Sequence, residues 1–296
     1  MKNFGISTDS TSDLYADEVK ELEIYVGRLN YLLDDGKEVT EHKDDFKSYQ
    51  EYVDFYNTLR KGVVAKTSIL NVETHVDMFT KMAEAGIKNA LHIAQSYGLS
   101  PTLDNANKAI EIVKEKYPDI NYVAIEARTT TYAEGLLVKI ACKMRDEGKS
   151  LDEAVETLER IKMNFQHFII ADDLMYLKRG GRVSGPKAVI GTILNLKPII
   201  EFSKEGKLEV MRKEVGMKKA MRSIIEEAKK YTRNDICPNG VVVHTDNPNG
   251  AKEMQALVKQ AFGYEPEIRI IGPIIGSHLG PNCVAYAFIS NEERPL

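Results

Sequence analysis

Short apolar runs alternate along this chain with segments of helical periodicity, and this alternation limits the folds open to it. Residues 4–7, 90–94 and 122–125 have the length of buried strands. Between the last two runs, apolar residues recur at helical spacing, at Leu103, Ala106, Ile110, Val113 and Tyr117. Strands that alternate with helices are typical of a mostly parallel sheet with helices packed on it.

Three helix starts are predicted by residues that can satisfy free backbone N–H groups. Ser100 followed by Pro101 suits one start, because serine can accept an N–H bond and proline at the first helical position loses none. Residues 131–134 and 150–153 both have the pattern of a capping box, a hydroxyl residue followed three positions later by glutamate.

The second half of the chain is predicted to continue as an α/β protein. In chain order we expect a strand at 168–171, a glycine- and arginine-rich loop at 178–185, an apolar stretch at 188–202 interrupted by Pro198, a hairpin at 201–211 turning at 204–207, a helix at 217–231, and strands at 240–244, 268–271 and 285–288. Because 296 residues suffice for two domains, the expected class is α/β with two domains, 1–163 and 164–296. The first should hold a mostly parallel sheet with helices on both faces.

Charge and composition exclude several classes of protein. The net charge is −4, from 40 basic and 44 acidic residues, and no basic cluster predicts nucleic-acid binding. Asp9 arrives before a signal-peptide core could form, and no apolar run reaches the roughly 18 residues of a membrane span. Cys142, Cys237 and Cys283 show neither metal nor disulfide spacing, so we expect core residues in a reducing cytoplasm.

Four polar clusters follow strands or lie in loops, at 8–13, 66–68, 95–102 and 276–281. Ligands of open α/β sheets bind beyond the carboxyl ends of the strands, where hydroxyl groups and helix N-termini suit a carboxylate or a phosphate. Serine and threonine are also common in turns and caps, so each cluster alone leaves both interpretations open. His278, between nearby glycines, could hydrogen-bond a carboxylate or be satisfied by local structure.

Several motifs of enzymes and metal sites are absent from the sequence. The histidines have no HxH or HExxH spacing, so no metal site is predicted. Residues 180–182 lack the spacing of a phosphate-binding loop, and no GxSxG elbow of an α/β-hydrolase occurs.

Taken in order, the polar clusters resemble the motifs of the DegV family. The matching segments are TDSTSDL at 8–14, TS at 67–68, GLSPT at 98–102, DLMYLKRGGRVS at 173–184, LKPI at 196–199 and GSHLGP at 276–281. The resemblance covers nearly the whole chain. It implies the EDD fold, with a long-chain fatty acid such as palmitate or oleate held between two α/β domains.

The resemblance also implies which residues bind the ligand. Carried over by position, the fatty-acid-binding residues are Thr67, Ser68, Ser96, Tyr97, Ser100 and His278. Arg182 lies in a loop for which the family suggests a structural or partner-facing role. The family implies no catalytic residue, cofactor or metal in this chain, and it implies a partner: an ATP-dependent, dihydroxyacetone-kinase-like subunit that converts the bound acid to an acyl phosphate.

The chain departs from the family pattern at several positions. Residues 69–70 are Ile-Leu in place of Gln-Pro, Tyr97 replaces a second serine, and Pro101 replaces a glycine. Residues 126–128 are Glu-Ala-Arg in place of Asp-Ser-Lys. Val215 occupies the position of an arginine that we associate with kinase engagement.

The expected ligand is physically reasonable, and two alternatives stay open. Burial of about sixteen carbons at roughly 0.8 kcal/mol per CH₂ supplies on the order of 10 kcal/mol before ordering costs, and a buried carboxylate must accept several hydrogen bonds. One alternative is a hydrolase with Ser96 or Ser100 as nucleophile, His278 as base and Asp9 as its partner. The other is a regulatory module that binds a different small anion.

Overall fold

The computed structural model describes residues 2–184, 195–233, 235 and 239–295, which form three β-sheets with helices packed around them. The strands are β1 (Gly5–Asp9), β2 (Tyr25–Gly27), β3 (Asn30–Asp34), β4 (Val39–Lys43), β5 (Val64–Thr67), β6 (Asn89–Ala94), β7 (Asn121–Glu126), β8 (Phe165–Ile170), β9 (Val183–Ser184), β10 (Leu196–Phe202), β11 (Leu208–Val215), β12 (Val241–His244), β13 (Glu267–Ile270) and β14 (Val284–Ile289). The helices are α1 (Ala16–Glu21), α2 (Tyr49–Arg60), α3 (Val72–Glu84), α4 (Thr102–Lys116), α5 (Tyr132–Asp146), α6 (Leu151–Ile161), α7 (Leu174–Arg179), α8 (Met217–Ala228), α9 (Pro248–Phe262) and α10 (Pro273–Leu279).

The first sheet is entirely parallel, with strand order β2-β1-β6-β7. Successive residues of β6 point to opposite faces, and each face is covered. Ala90 packs with Phe79 of α3 and with α4, whereas Leu91 packs with Leu137 of α5 and with α6. The prediction of a parallel sheet with helices on both faces is therefore confirmed.

The largest sheet has seven strands in the order β13-β12-β14-β8-β10-β11-β9 and contains both parallel and antiparallel pairs. One face, which includes Phe168 and Tyr286, packs under α8 and α9. Ile169 and Ala285 lie on the other face, which belongs to the same core as the helices α5 and α6. Each described strand before residue 127 lies in one of the two smaller sheets, and each described strand from residue 165 onward lies in this one.

A small antiparallel sheet of order β4-β3-β5 was not expected from the sequence. Its outer strand β4 is almost wholly exposed, so it lacks the apolar alternation that predicts a strand. Helix α2 ties this region to the rest of the molecule, because the buried Tyr56 hydroxyl donates to the carbonyl of Ile271 at 2.7 Å. This contact fixes the segment that leads into α10.

The predicted helix starts have different outcomes. The capping box of Ser150 and Glu153 is confirmed. The serine cap was wrong: α4 begins at Thr102, its N-cap is Pro101, and no side chain caps it. The box at 131–134 was also wrong, because Thr131 has a left-handed φ of 59° and its side chain does not cap α5.

Two further expectations are modified in the second half. The hairpin is confirmed, with Phe202 pairing with Leu208, but Pro198 lies inside β10 instead of interrupting it. The predicted 178–185 loop begins with the last turn of α7 and leads into the short strand β9. Residue 185 of the predicted loop, residues 188–194 of the apolar stretch and Cys237 lie outside the described residues; Cys142 and Cys283 are buried, as expected.

Candidate ligand-binding site

A cavity of about 300 Å³ lies between the carboxyl edge of the parallel sheet and the inner face of the seven-stranded sheet. Most of its wall is aliphatic or aromatic, and the main apolar lining residues are Leu29, Leu99, Ile169, Leu177, Phe202, Leu208, Val243, Ile271, Ile274, Ile275, Leu279 and Ala285. Mostly apolar cavities of this size with a few polar groups are typical small-molecule sites.

Thr67 and His278 meet in the wall of this cavity. Thr67 is the last residue of β5, and His278 lies in the last turn of α10, which packs against β5. Their side chains share a hydrogen bond of 2.8 Å between Thr67 Oγ1 and His278 Nε2. The structure therefore brings together two of the predicted site residues that are 211 positions apart in sequence.

The His278 ring is neutral and held on two sides. Burial lowers its pKa to about 4, and the positive charge of Arg182 contributes in the same direction. Nδ1 faces Gly180, where an added Cβ would lie only 2.2 Å from that nitrogen. The observed orientation of the ring therefore requires glycine at position 180.

Arg182 lines the cavity and supplies its one described cationic side chain. Its Nε donates to the carbonyl of Leu99 at 3.3 Å, and Nη1 donates to the carbonyl of Gly180. The family resemblance implies a structural or partner-facing role for this residue. The structure adds a place in the cavity wall, next to the segment that contacts His278.

Ser100 and Ser68 also line the cavity, whereas Ser96 and Tyr97 do not. The Ser68 hydroxyl is exposed and donates to the carbonyl of Asn30 at 3.0 Å; the Ser100 hydroxyl has no hydrogen bond to the described residues.

Ser96 and Tyr97, the other two predicted site residues, do not line the cavity. Ser96 is fully buried, and its hydroxyl donates to the carbonyl of Gly206 in the β10–β11 turn at 2.8 Å. Tyr97 is 48% exposed, and its hydroxyl donates to Asp104 at 3.0 Å. The hairpin turn of the second half therefore takes the hydroxyl that the motif alone assigned to the ligand.

The serine hydrolase arrangement is not assembled among the described residues. The Nε2 atom of His278 is bonded to Thr67, and neither candidate serine is bonded to the ring. The Asp9 carboxyl accepts from the backbone N–H groups of Thr11 and Gln95, at 2.9 and 3.1 Å, and does not contact His278. A nucleophile, base and orienting acid in mutual contact, which this chemistry requires, are therefore missing.

A second set of polar side chains lines the same cavity: Gln95, Thr130, Thr131 and His167. All four are buried. The Thr129 hydroxyl shares a 2.8 Å hydrogen bond with His167 Nε2, and burial lowers the pKa of His167 to about 3, so this ring is also neutral. None of these four residues was predicted to contact the ligand, although Gln95 is the first residue of the predicted polar cluster 95–102.

Several carboxyl groups are buried near the ends of β1 and β6, among them those of Asp9 and Glu134. The Thr8 hydroxyl lies 2.8 Å from the carbonyl of Ile93 and 3.1 Å from Glu134 Oε1. One hydroxyl proton cannot serve both acceptors, which favours a protonated Glu134 that donates to Thr8. Burial, followed by the charge of Asp9, raises the pKa of Glu134 well above its usual value, in agreement with this proton count.

Asp13 connects this group to α10. Its Oδ1 accepts from the backbone N–H of Gly272, the residue before α10, at 2.9 Å. Burial, with the nearby carboxyl of Asp44, raises the pKa of Asp13 well above its usual value, and burial raises that of Asp44 to about 7. The helix that carries His278 is therefore held at its start by the buried carboxyl group of Asp13.

The described residues hold neither a candidate metal site nor a candidate membrane span. No group of three or more histidine, cysteine, aspartate or glutamate side chains is placed to hold a metal ion. None of the described helices combines the length and the apolar character that a membrane span requires.

An α/β fold with a mostly apolar cavity between its sheets is typical of proteins that bind small apolar ligands. The chain belongs to the DegV family: residues 3–291 match the family model described as "Uncharacterised protein, DegV family". A DegV domain-containing protein of Clostridium perfringens is 34% identical over 100% of both chains. Another from Lactococcus lactis is 30% identical over 98% of this chain and 99% of its own.

Solved structures share the fold over almost the full length. A DegV lipid binding protein of Thermotoga maritima superposes with a TM-score of 0.84, at 24% identity, and covers 99% of this chain and 100% of its own. A second Thermotoga maritima protein, described as revealing a fatty acid binding function, is 25% identical with a TM-score of 0.82. The match covers 98% of this chain and 100% of its own. A DegV family protein of Thermus thermophilus, described by its fatty acid binding, is 25% identical with a TM-score of 0.81. The match covers 98% of this chain and 100% of its own.

Proposed function

We propose that this protein binds a long-chain fatty acid such as palmitate or oleate, with its tail in the cavity. The carboxylate would lie in the part of the wall formed by Thr67, Ser68, Ser100, Arg182 and His278. The observation that carries the proposal is the Thr67–His278 hydrogen bond of 2.8 Å in the wall of a cavity that is otherwise mostly apolar. The fatty acid binding described for the Thermotoga maritima and Thermus thermophilus relatives supports it. In the same way, we propose residues 1–163 and 164–296 as the two domains that enclose the ligand.

The electrostatics of the site suit an anion. A carboxylate that leaves water must regain hydrogen bonds to offset its desolvation. With its ring proton on Nε2, neutral His278 donates to Thr67 Oγ1, and the Thr67 hydroxyl is then free to donate to the ligand. Arg182 adds a positive charge in the same wall, so the head group need not be protonated to bind.

A test of this site is the substitution Thr67→Val, which removes the hydroxyl and keeps the shape of the side chain. A hydrogen bond to a charged group contributes about 1.5–3 kcal/mol, so the affinity for palmitate measured by calorimetry should fall roughly 10- to 150-fold. Thr40→Val is a matched control, because Thr40 also shares a 2.8 Å hydrogen bond with a histidine, His42, on the same small sheet but does not line the cavity.

The control variant should bind palmitate like the original protein. Equal affinity in all three proteins would contradict the proposed head-group site. Failure of the original protein to bind any long-chain acid would contradict the function itself.

We further propose that the protein is a carrier without catalytic residues of its own, and that it presents the acid to a separate ATP-dependent, dihydroxyacetone-kinase-like subunit. The family resemblance supports this step. Val215, at the position of the family arginine, is 56% exposed at the end of β11, near Lys218 and Lys219. Acyl phosphate formation with such a kinase and ATP tests the proposal, and Val215→Arg should increase the rate of acyl phosphate formation. The absence of acyl phosphate with both the original protein and Val215→Arg would contradict it.

A further inference from the structure

We propose that the preferred ligand carries an oxygen within its hydrocarbon chain, as a hydroxy or oxo fatty acid does, and that Gln95, Thr130, Thr131 and His167 hold this oxygen. The inference rests on the proposed function, because it assigns a substrate class to the same cavity. Its basis is a second polar region in a wall where a plain alkyl chain needs only apolar contacts.

Two residues of this region, Gln95 and Thr130, are buried and carry polar side-chain groups without hydrogen-bond partners among the described residues. Gln95 is 3% exposed, lines the cavity, and its side-chain amide makes no hydrogen bond to the described residues. The hydroxyl of Thr130 is buried without a partner in the described part of the chain. Buried polar groups in proteins are almost always hydrogen-bonded, so unpaired ones in a cavity wall point to a partner that the cavity itself receives.

The second polar region is built separately from the proposed carboxylate site. Gln95 directly follows β6, Thr130 and Thr131 lie in the loop between β7 and α5, and His167 lies on β8. Thr67 and His278 lie on β5 and α10. No hydrogen bond between described residues joins the two groups, so they can contact different parts of one ligand.

The second region is also held in a fixed geometry. The backbone N–H of Ser96, next to Gln95, donates to the carbonyl of Thr129 at 2.8 Å, and the Thr129 hydroxyl is bonded to His167. A ligand hydroxyl can donate to the Gln95 carbonyl oxygen and accept from its NH₂ group or from a threonine. A methylene group at the same place satisfies none of these atoms.

The energetic consequence is selectivity. A site that is built to hydrogen-bond a substrate hydroxyl discriminates strongly against the analogue without it, because the polar groups of the site are then desolvated and unpaired. We expect at least about a tenfold preference for an oxygenated chain, provided that the oxygen lies at the carbon that reaches Gln95.

The experiment compares stearate with a positional series of hydroxystearates, using calorimetric titration of the full chain. One position should bind at least about tenfold more tightly than stearate, and the preference should decline on either side of it. In Gln95→Met and Thr130→Val, each of which replaces a polar group by an apolar one of similar size, the ratio of the two affinities should fall toward one.

Thr102→Val provides the matched control. Thr102 is buried with an unpartnered hydroxyl like Thr130, but it does not line the cavity. This variant should keep the preference of the original protein. Circular dichroism checks the fold of each variant, and if one of the two cavity variants does not fold, the other gives the ratio.

The possible results separate this inference from the proposed function. If stearate binds as tightly as every hydroxystearate, or if the preference is unchanged in the cavity variants, water fills the second region and the inference is wrong while fatty acid binding stands. If neither stearate nor any hydroxystearate binds, the proposed function fails, and the inference fails with it.

Discussion

Replacement of Gly180 by alanine should displace the His278 ring without touching the ligand directly. Gly180 has a φ of −74°, which alanine adopts easily, so the substitution introduces no backbone strain. Its methyl group, however, would lie 2.2 Å from Nδ1 and 3.0 Å from Cε1 of His278. The first distance is 1.2 Å shorter than the 3.4 Å at which ordinary contacts begin.

The ring cannot avoid this overlap by a small shift in its own plane. Thr67 lies against the opposite nitrogen, at 2.8 Å, so the ring must tilt or change rotamer and lose that hydrogen bond. A net loss of about 0.5–1.5 kcal/mol for the bond, together with a misplaced Thr67 hydroxyl, should weaken palmitate binding roughly tenfold, since each factor of ten corresponds to about 1.4 kcal/mol.

A double-mutant cycle measured by calorimetry tests this reasoning. The close contacts of the added methyl group are all with the His278 ring. In a His278→Ala background the methyl group has room, and Gly180→Ala should cause no further loss of affinity. The same tenfold loss in both backgrounds would show that the alanine acts elsewhere, and unchanged affinity in the single variant would show that the ring is not needed.

Two further predictions concern the buried carboxyl groups. Burial raises the pKa of Asp44 to about 7 from its ordinary 3.8, so the stability contributed by this proton is present at low pH and is lost as the pH rises through about 7. Asp44→Asn should therefore remove a decline in unfolding free energy between about pH 4.5 and 7, measured by urea titration, and parallel curves for the two proteins would contradict it. The buried histidines His278 and His244, with pKa values lowered to about 4, change the stability over the same range, but they do so equally in both proteins and cancel in the comparison. Glu134→Gln should change the unfolding free energy at pH 7 by less than about 1 kcal/mol, because glutamine keeps a neutral donor toward Thr8. Glu134→Ala should cost about 1–3 kcal/mol, because it leaves the hydroxyl groups of Thr8 and Thr11 without this partner. An equal cost for both variants would mean that the carboxyl is ionised.

The parts of the fold that the sequence predicts are those with a strong apolar period. Strands β6 and β7 contain short apolar runs and the helix between them has an amphipathic repeat, and all three elements appear as expected. The β4-β3-β5 sheet is different, because much of its surface is exposed and its stability depends on packing against α10 and α2. Such tertiary support leaves no local period in the sequence.

The sequence motifs predicted candidate site residues, but they could not predict which of these residues form hydrogen bonds with distant parts of the chain. Thr67 and His278 were identified by the family motifs, and their contact then follows from α10 packing on β5. The sequence motif gives no sign that the Ser96 hydroxyl bonds to Gly206, in a turn more than a hundred residues away. Thr131 has the sequence pattern of a helix cap, but in the structure it has a positive φ of 59° and lines the cavity.

The most direct test of the central claim is a crystal structure of the protein with palmitate. We predict that one carboxylate oxygen lies within hydrogen-bonding distance of Thr67 Oγ1, with Arg182 alongside, and that the tail follows the cavity past Ile169 and Phe202. Palmitate bound outside this cavity, or inside it with the carboxylate away from both Thr67 and Arg182, would contradict the account.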